Sequence, residues 1–468
     1  MINMTHLTHL NYFTALLGQP YVLTGADMAP FLTDWRGRYQ GQALCVLRPD
    51  TVATVSAIVT YCAQHQIPMV PQGGNTSTCG GSVPDNTGQA VVIQLGRLNR
   101  IRQLDAENDT LTLEAGCTLQ QAQLAAHSIH RLFPLSIASE GSCQIGGNLA
   151  TNAGGVHVLR YGMMRQLTLG LEVVLPDGTC WNGLRGLRKD NTGYDLKHLF
   201  IGSEGTLGII TAATLALFPQ PTQQQTAWIP VPSLEAALSL FHALRAQYDT
   251  ALIAFEVVSE AGLALVLRHI PHTTRPTPQH PWYVLCELAT NEPALLDTLP
   301  DWLAQHAHPD TIFAQTPTHR TALWHLRESL APAQKCEGIS IKHDIALPRS
   351  TILAFLADAA QWLAQHVPEA RPIIFGHLGD GNLHYNVFVD TETLHTQETA
   401  IQQAIYDCVY KQGGSIAAEH GIGQLKRDNL PHYKSAVEMA LMQKIKQALD
   451  PHHVMNPGKL LSEKPEGA

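Results

Sequence analysis

The sequence predicts an α+β protein of two main domains, and three observations lead there. Asp50 to Gln64 carries Val52, Val55, Ile58, Val59 and Cys62 at helical spacing, and Ile67-Pro68-Met69-Val70 follows as a short buried strand. Leu169 to Leu175 reads as a strand running into the turn Pro176-Asp177-Gly178, a hairpin signal. Ile373 to Val389 reads as two antiparallel strands around Gly379-Asp380-Gly381-Asn382. A length of 468 residues allows two or three domains, each with a sizeable core.

Taken in order, residues 1–39 form an N-terminal segment. Met1 to Gly18 has no positive stretch ahead of an apolar run, so no signal peptide is expected. Alternating Leu111 and Leu113, then a helical Leu119 to Ile129, continue the mixture of strand and helix, and one domain spans 40–219. Phe218 to Thr226, rich in proline and glutamine, reads as a linker into a second domain, 220–424, which has a proline-rich loop from Pro271 to Pro281. In the closing segment, 425–468, Val437, Leu441, Ile445 and Leu449 make one helical stripe, expected as plain core, and Asp450-Pro451 stops it.

Composition excludes several functions. Hydrophobic residues at 45% and charged residues at 15% rule out a disordered chain. A formal net charge of −9 argues against nucleic acid as a partner. Nine cysteines without a CxxC pair suit a reduced, cytoplasmic protein rather than a disulfide scaffold. No stretch approaches the roughly 18 apolar residues of a membrane span, which leaves only peripheral membrane contact open.

Four glycine clusters crowd the first domain: Gln72-Gly73-Gly74-Asn75-Thr76-Ser77, Gly141 to Asn148, Asn152 to Gly155, and Gly202 to Gly208. None is GxGxxG and none is a P-loop, which sets aside the usual NAD and ATP sites. Glycines let backbone N–H groups close on an anion, and Ser, Thr and Asn add neutral donors, a composition suited to a pyrophosphate. Any one cluster could equally be a tight turn.

In the second domain, a two-residue turn at Asp380-Gly381 would set His377 opposite His384, with Cβ atoms about 5 Å apart. Two imidazoles could then meet one ion at about 2 Å. Asn386 shares the face of His384. Glu419-His420 offers an acid and a base, and two histidines with a glutamate fit an open divalent site. The alternative is chance pairing in a chain with 24 histidines. Arg327 and Lys342 are candidates for holding carboxylates, although either alone is more often a solvated surface charge.

These motifs, with Leu187 to Leu196, resemble the FAD-linked D-2-hydroxyacid dehydrogenases of the vanillyl-alcohol oxidase superfamily, and most of all their D-2-hydroxyglutarate branch. The resemblance runs from about residue 40 to Leu460. It implies the two-part FAD-binding domain of that superfamily and an α+β substrate domain built on an antiparallel sheet. It implies non-covalent FAD, since no histidine stands in the 73–77 loop. The cofactor would lie on Gln72, Gly73, Gly74, Asn75, Thr76, Ser77, Pro134, Gly141, Ser142, Gly146, Gly147, Asn148, Asn152, Gly155, Glu204, Gly208, Ile209 and Asn456. The segment Met455 to Lys459 would return to close the flavin site.

By the same resemblance His377, His384 and Glu419 hold a divalent metal, zinc first and manganese second. Arg327, Lys342 and Asn386 contact substrate, and His420 is the base. The implied reaction oxidises a small anionic D-2-hydroxyacid to the 2-oxoacid, hydride passing to the flavin. An electron-transfer flavoprotein or a quinone is the implied acceptor, and a homodimer the implied assembly. Lys342 favours D-2-hydroxyglutarate as substrate, while Ala331 stands where that branch usually has a hydroxyl. D-lactate or glycolate oxidation, a non-catalytic electron-transfer subunit and a metal-dependent hydrolase are the competing readings.

Overall fold

The computed structural model describes residues 4–462. Its contacts divide into two units: residues 1–154, 163–219 and 419–468 form one, and residues 155–162 and 220–418 form the other. Residues 4–39 therefore cluster with the first unit rather than forming a segment of their own. That unit recovers the chain at 419, ahead of the expected 425.

The first unit holds two larger sheets. In the first, Cys45–Leu47, Val91–Gln94 and Met69–Gln72 run parallel in that order, and Val22–Leu23 pairs antiparallel at the edge. The helix Val52–Gln64 makes the crossover between Cys45–Leu47 and Met69–Gln72. It starts where Thr51 Oγ1 accepts the Thr54 amide at 3.2 Å and buries Val55, Ile58, Val59 and Cys62. These side chains pack with Phe13, Leu47, Ile93 and Met455 in one core.

The second sheet is antiparallel, in the order Ile101–Asp105, Thr110–Glu114, Ile209–Ala216, Thr168–Val174, Cys180–Gly183. The hairpin expected at Pro176-Asp177-Gly178 joins its last two strands. Asp177 Oδ1 accepts the Thr179 amide at 2.8 Å, and Gly178 takes φ 90°, a conformation glycine adopts without a Cβ clash. The helix Leu119–Ser128 opens on a capping box of Thr118 and Gln121.

The second unit is one antiparallel sheet of eight strands with helices on its faces. Its path runs Ile312–Phe313, Gln223–Val231, Trp282–Thr290, Leu252–Ser259, Arg371–Gly376, Asn382–Phe388, Ser340–Ile341, and Asp344–Ala346 also pairs with Asn382–Phe388. Helices Glu260–His269, Pro317–Glu328 and Leu330–Glu337 cover one face through Leu263, Val266, Leu323, Leu326, Leu330 and Ala333.

Two sequence expectations are corrected here. The supposed linker ends early, because Gln223 already begins a strand paired along nine residues with Trp282–Thr290. Its glutamines are tied down: Gln224 donates to Glu287, and Gln225 Nε2 donates to the Ala314 carbonyl at 3.2 Å. The C-terminal helix Ala436–Leu449 is not plain core either. Val437 is 68% and Leu441 54% exposed, and its one buried side chain is Lys446.

Candidate active site

The flavin candidates are described first. Gly74 approaches Ser142 so closely that a Cβ would come within 2.0 Å of the Ser142 carbonyl oxygen, so the 73–77 loop lies directly against the Gly141–Asn148 segment. The amides of Gly74, Asn75, Thr76 and Ser77 donate to no backbone carbonyl among the described residues. The helix Ile145–Ala150 begins beside them, and at Gly147 a Cβ would meet nothing within 4 Å. The first two amides of that helix, Ile145 and Gly146, donate to the Cys117 and Ala115 carbonyls, so it is the consecutive unpaired amides of 74–77 that suit a diphosphate.

Buried acceptors complete the cradle. Gln72 Oε1, Gln94 Oε1, Gln144 Oε1 and Asn456 Oδ1 are buried and accept no hydrogen bond within the described protein. Such orphans are rare in a finished interior and fit a donor-bearing ligand such as an isoalloxazine or adenine edge. Gln94 and Gln144 escaped sequence reasoning. Gln94 ends a fully buried strand and Gln144 precedes a glycine-rich helix, and those positions were the available signal.

Other candidates hold the frame rather than offer a ligand group. Asn75, at φ 52°, donates to the Thr33 carbonyl at 2.8 Å and accepts from Ser82. Ser77 Oγ accepts the Cys79 amide, and Asn152 Oδ1 accepts the Arg165 amide at 2.9 Å. Asn148 is buried against the Cys143 sulfur, and Asn456 Nδ2 donates to the carbonyls of Gly81 and Glu204. Gly208 packs where a Cβ would meet Val173 at 2.8 Å, and the Ile209 side chain joins the core. Pro134 is buried just after the strand Arg131–Leu132. Gly155 opens the short stretch that clusters with the other unit.

Glu204 has a role the sequence did not suggest. Its two oxygens accept the amides of Ile422 and Gly423, each at 2.7 Å. Burial pushes this carboxyl above the usual range, and the two amide bonds work against that rise. Glu204 thus anchors the loop that carries Glu419 and His420.

In the second unit the sheet register differs from the expectation. Asp380, Gly381 and Asn382 all direct their amides at the His377 carbonyl, so the turn spans five residues instead of two. Phe375, not His377, lies opposite His384. The shift is two residues, one full pleat, so His377 and His384 keep a common face. Their ring centroids stand 6.0 Å apart.

The centre of that face is Glu256, which sequence reasoning missed. It is wholly buried in the strand Leu252–Ser259, a lone acid in the run Leu-Ile-Ala-Phe-Glu-Val-Val. Its Oε1 meets His377 Nδ1 at 2.5 Å and its Oε2 accepts Arg327 Nε at 2.6 Å. Burial pushes the Glu256 carboxyl up, but His377 and Arg327 outweigh that and hold it at about 2. With Nδ1 occupied, Nε2 is the His377 nitrogen a metal would take, the usual arrangement in which a carboxylate orients a ligating imidazole.

Arg327 stacks over the Phe375 ring at 5.0 Å, and its Nη1 and Nη2 make no hydrogen bond among the described residues. His384 Nδ1 lies 3.8 Å from the Asp344 carboxylate. Asn386 has both ends engaged, Nδ2 by Gln334 at 2.9 Å and Oδ1 by the His343 amide at 3.3 Å. Lys342 is exposed, in the break between Ser340–Ile341 and Asp344–Ala346, and Ala331 is exposed on the helix Leu330–Glu337. Glu419 is the next residue after Ala418, whose amide donates to the Asp344 carbonyl at 3.3 Å.

A two-part flavoprotein is what these features define, and known proteins agree. Residues 43–183 match an FAD binding domain, and residues 220–460 match the FAD linked oxidases, C-terminal domain. The fold is that of p-cresol methylhydroxylase with substrate bound, at a TM-score of 0.74 and 18% identity over 98% of this chain and 97% of that one. A probable D-2-hydroxyglutarate dehydrogenase, mitochondrial, from Oryza sativa subsp. indica is 36% identical over 97% of this chain and 82% of its own length. A putative D-lactate dehydrogenase, mitochondrial, from Schizosaccharomyces pombe is 37% identical over 93% of this chain and 85% of its own. The chain belongs to the FAD-dependent D-2-hydroxyacid dehydrogenase family. The cytoplasmic expectation is corrected, since these relatives carry the name mitochondrial.

Proposed function

We propose that this chain oxidises D-2-hydroxyglutarate to 2-oxoglutarate, with a divalent ion, zinc before manganese, held by His377, His384 and Glu419. Arg327 is the observation that carries the reading. Its Nε is committed to Glu256, so the Nη1–Nη2 end is preset as a fork for a substrate carboxylate. Lys342 supplies a second cation for the distal carboxylate, and Asn386, locked between Gln334 and His343, presents a fixed polar edge.

When bound, FAD supplies a hydride acceptor and the ion a positive charge that favours the ionised hydroxyl. The chain does the remainder. His420 accepts the hydroxyl proton, a task suited to an imidazole near neutral pH. Glu204 keeps its loop in place, and Glu256 fixes the His377 ring and the Arg327 plane together. Reoxidation by an electron-transfer flavoprotein or a quinone, and a homodimeric assembly, belong to the same proposal and rest on the family resemblance.

The test is the anaerobic visible spectrum of the flavoprotein with D-2-hydroxyglutarate and, in parallel, D-lactate. Bleaching by the dicarboxylate is the expected result. Bleaching by D-lactate alone would transfer the reading to a lactate enzyme, which Ala331 and the fission yeast relative favour. His420→Ala should keep its flavin yet be reduced at least about a hundredfold more slowly. An unchanged rate removes His420 from the proton transfer.

A further inference from the structure

A second pair of histidines lies outside the flavin cradle and the Glu256 face. The proline-rich loop 271–281 and the turn that precedes the edge strand Ile312–Phe313 bring together His280, His308 and Asp310, with one ligand atom of each within 4.8 Å of the others. His280 Nε2 is 3.2 Å from Asp310 Oδ2, and His308 Nδ1 is 3.7 Å from the same oxygen. The two imidazole rings stand edge to face, 4.5 Å between centroids.

The backbone holds these groups in place. His280 is followed by Pro281, and Pro309 separates His308 from Asp310, so both segments have few conformations open to them. The His280 amide donates to the Tyr283 hydroxyl at 2.9 Å, and that hydroxyl donates to Glu260 at 2.8 Å. Arg275 grips both Glu260 oxygens, at 2.8 and 2.6 Å, and so pins the same loop a second time. On the other side, the Thr311 hydroxyl and amide both donate to the His308 carbonyl, closing a tight turn.

The tautomer of His308 is informative. The Asp310 amide donates to His308 Nδ1 at 3.2 Å, so that nitrogen presents a lone pair rather than a proton. His308 Nδ1 and Asp310 Oδ2 stand 3.7 Å apart with the His280 imidazole beside them, and His280 Nε2 is within hydrogen-bond distance of that oxygen. An ion bound by the three groups would replace these local hydrogen bonds, and the three ligand atoms are already within 4.8 Å of one another. Side-chain exposures of 18% for His280, 38% for His308 and 37% for Asp310 leave the trio within reach of ions from solution.

We propose that His280, His308 and Asp310 form a second binding site for a late first-row divalent cation, zinc by preference, which staples loop 271–281 to the turn at 307–311. Two imidazoles and one carboxylate suit zinc, whereas calcium and magnesium would look for six or more oxygen donors. Three protein ligands leave the fourth tetrahedral position to water.

The experiment uses the full-length flavoprotein, stripped with a chelator and dialysed to equilibrium against zinc, with metal analysis per chain. His280→Ala/His308→Ala should hold one ion fewer than the unaltered protein while its flavin is reduced by substrate at the same rate. Asp310→Asn, which keeps the size of the side chain, should weaken the same ion at least about tenfold. In a His377→Ala/His384→Ala background, zinc should still raise the melting temperature, and adding His280→Ala/His308→Ala should abolish that rise. An unchanged ion count in His280→Ala/His308→Ala, or unchanged affinity in Asp310→Asn, would overturn the proposal.

Discussion

A single buried carboxylate organises the face of the second unit that carries Arg327 and His377. Glu256 costs desolvation energy that its bonds to Arg327 and His377 offset, so its charge and their geometry stand or fall together. Its carboxyl is held at about 2, below the ordinary 4.5. A depressed carboxyl contributes stability above the unfolded value and loses it as pH falls through the folded value. Glu256 should therefore contribute about 3 kcal/mol at pH 6, lost progressively between pH 4.5 and 2. Urea unfolding of the unaltered protein and of Glu256→Gln across that range checks it: the variant should be less stable at pH 6, and the difference should close towards pH 2. Parallel curves would mean that Glu256 is not ionised in the folded protein. Sequence reading had placed Arg327 and His377 on the substrate side by resemblance, yet not the residue joining them. A lone glutamate inside an apolar strand names no partner until the helix Pro317–Glu328 and the turn after Arg371–Gly376 are laid over it.

Among elements, the legible ones carried their own local signal. The helix Val52–Gln64 and the hairpin at Asp177-Gly178 depend on spacing and turn chemistry within a few residues, and both formed where expected. The turn at 377–381 was misjudged in length, but the error of one full pleat left the histidines on one face. The C-terminal helix was read by its apolar stripe and is in fact held by a charge. Lys446 Nζ donates to the carbonyls of Thr206 and Met455, both at 2.8 Å, and to Asp450 at 2.5 Å. Asp450 in turn accepts the amides of Val454 and Met455. No periodicity rule anticipates a buried lysine, because its partners lie 240 residues away at Thr206 as well as nearby. Lys446→Met should strand Asp450 in the interior and destabilise the first unit by about 3 kcal/mol. It should also loosen Asn456, which the same segment delivers to Gly81 and Glu204, and so weaken FAD binding. Thermal unfolding with fluorescence titration of FAD measures both effects, and a variant matching the parent in each would show that the apolar contacts alone hold this segment.

For the whole molecule, most of the candidate residues sort by unit, Glu419 and His420 falling with the first and His377 and His384 with the second. The amides and orphan acceptors of the flavin cradle belong to the first unit apart from Gly155, and Glu256, Arg327, His377 and His384 belong to the second. A ligand stabilises whatever it binds by RT ln(1 + [L]/Kd), about 2.7 kcal/mol at a hundredfold excess over Kd. Local opening reports that gain where the contacts are made. Removing FAD should therefore speed hydrogen exchange in the 73–78 loop, the helix Ile145–Ala150 and residues 419–423, which Glu204 anchors to the same unit. It should leave the strands Leu252–Ser259 and Asn382–Phe388 close to their rates in the holoenzyme. If the proposed ion is present, chelation of the holoenzyme should speed exchange around Arg371–Gly376 and Asn382–Phe388, next to the proposed ligands His377 and His384, and at the proposed ligand Glu419, while the 73–78 loop stays protected by flavin. Mass-resolved exchange on the three forms separates the cases. If stripping FAD accelerated both units equally, the chain would be opening as one cooperative body. Flavin and metal would then stabilise the same transition, and residue assignments made unit by unit would lose their thermodynamic basis.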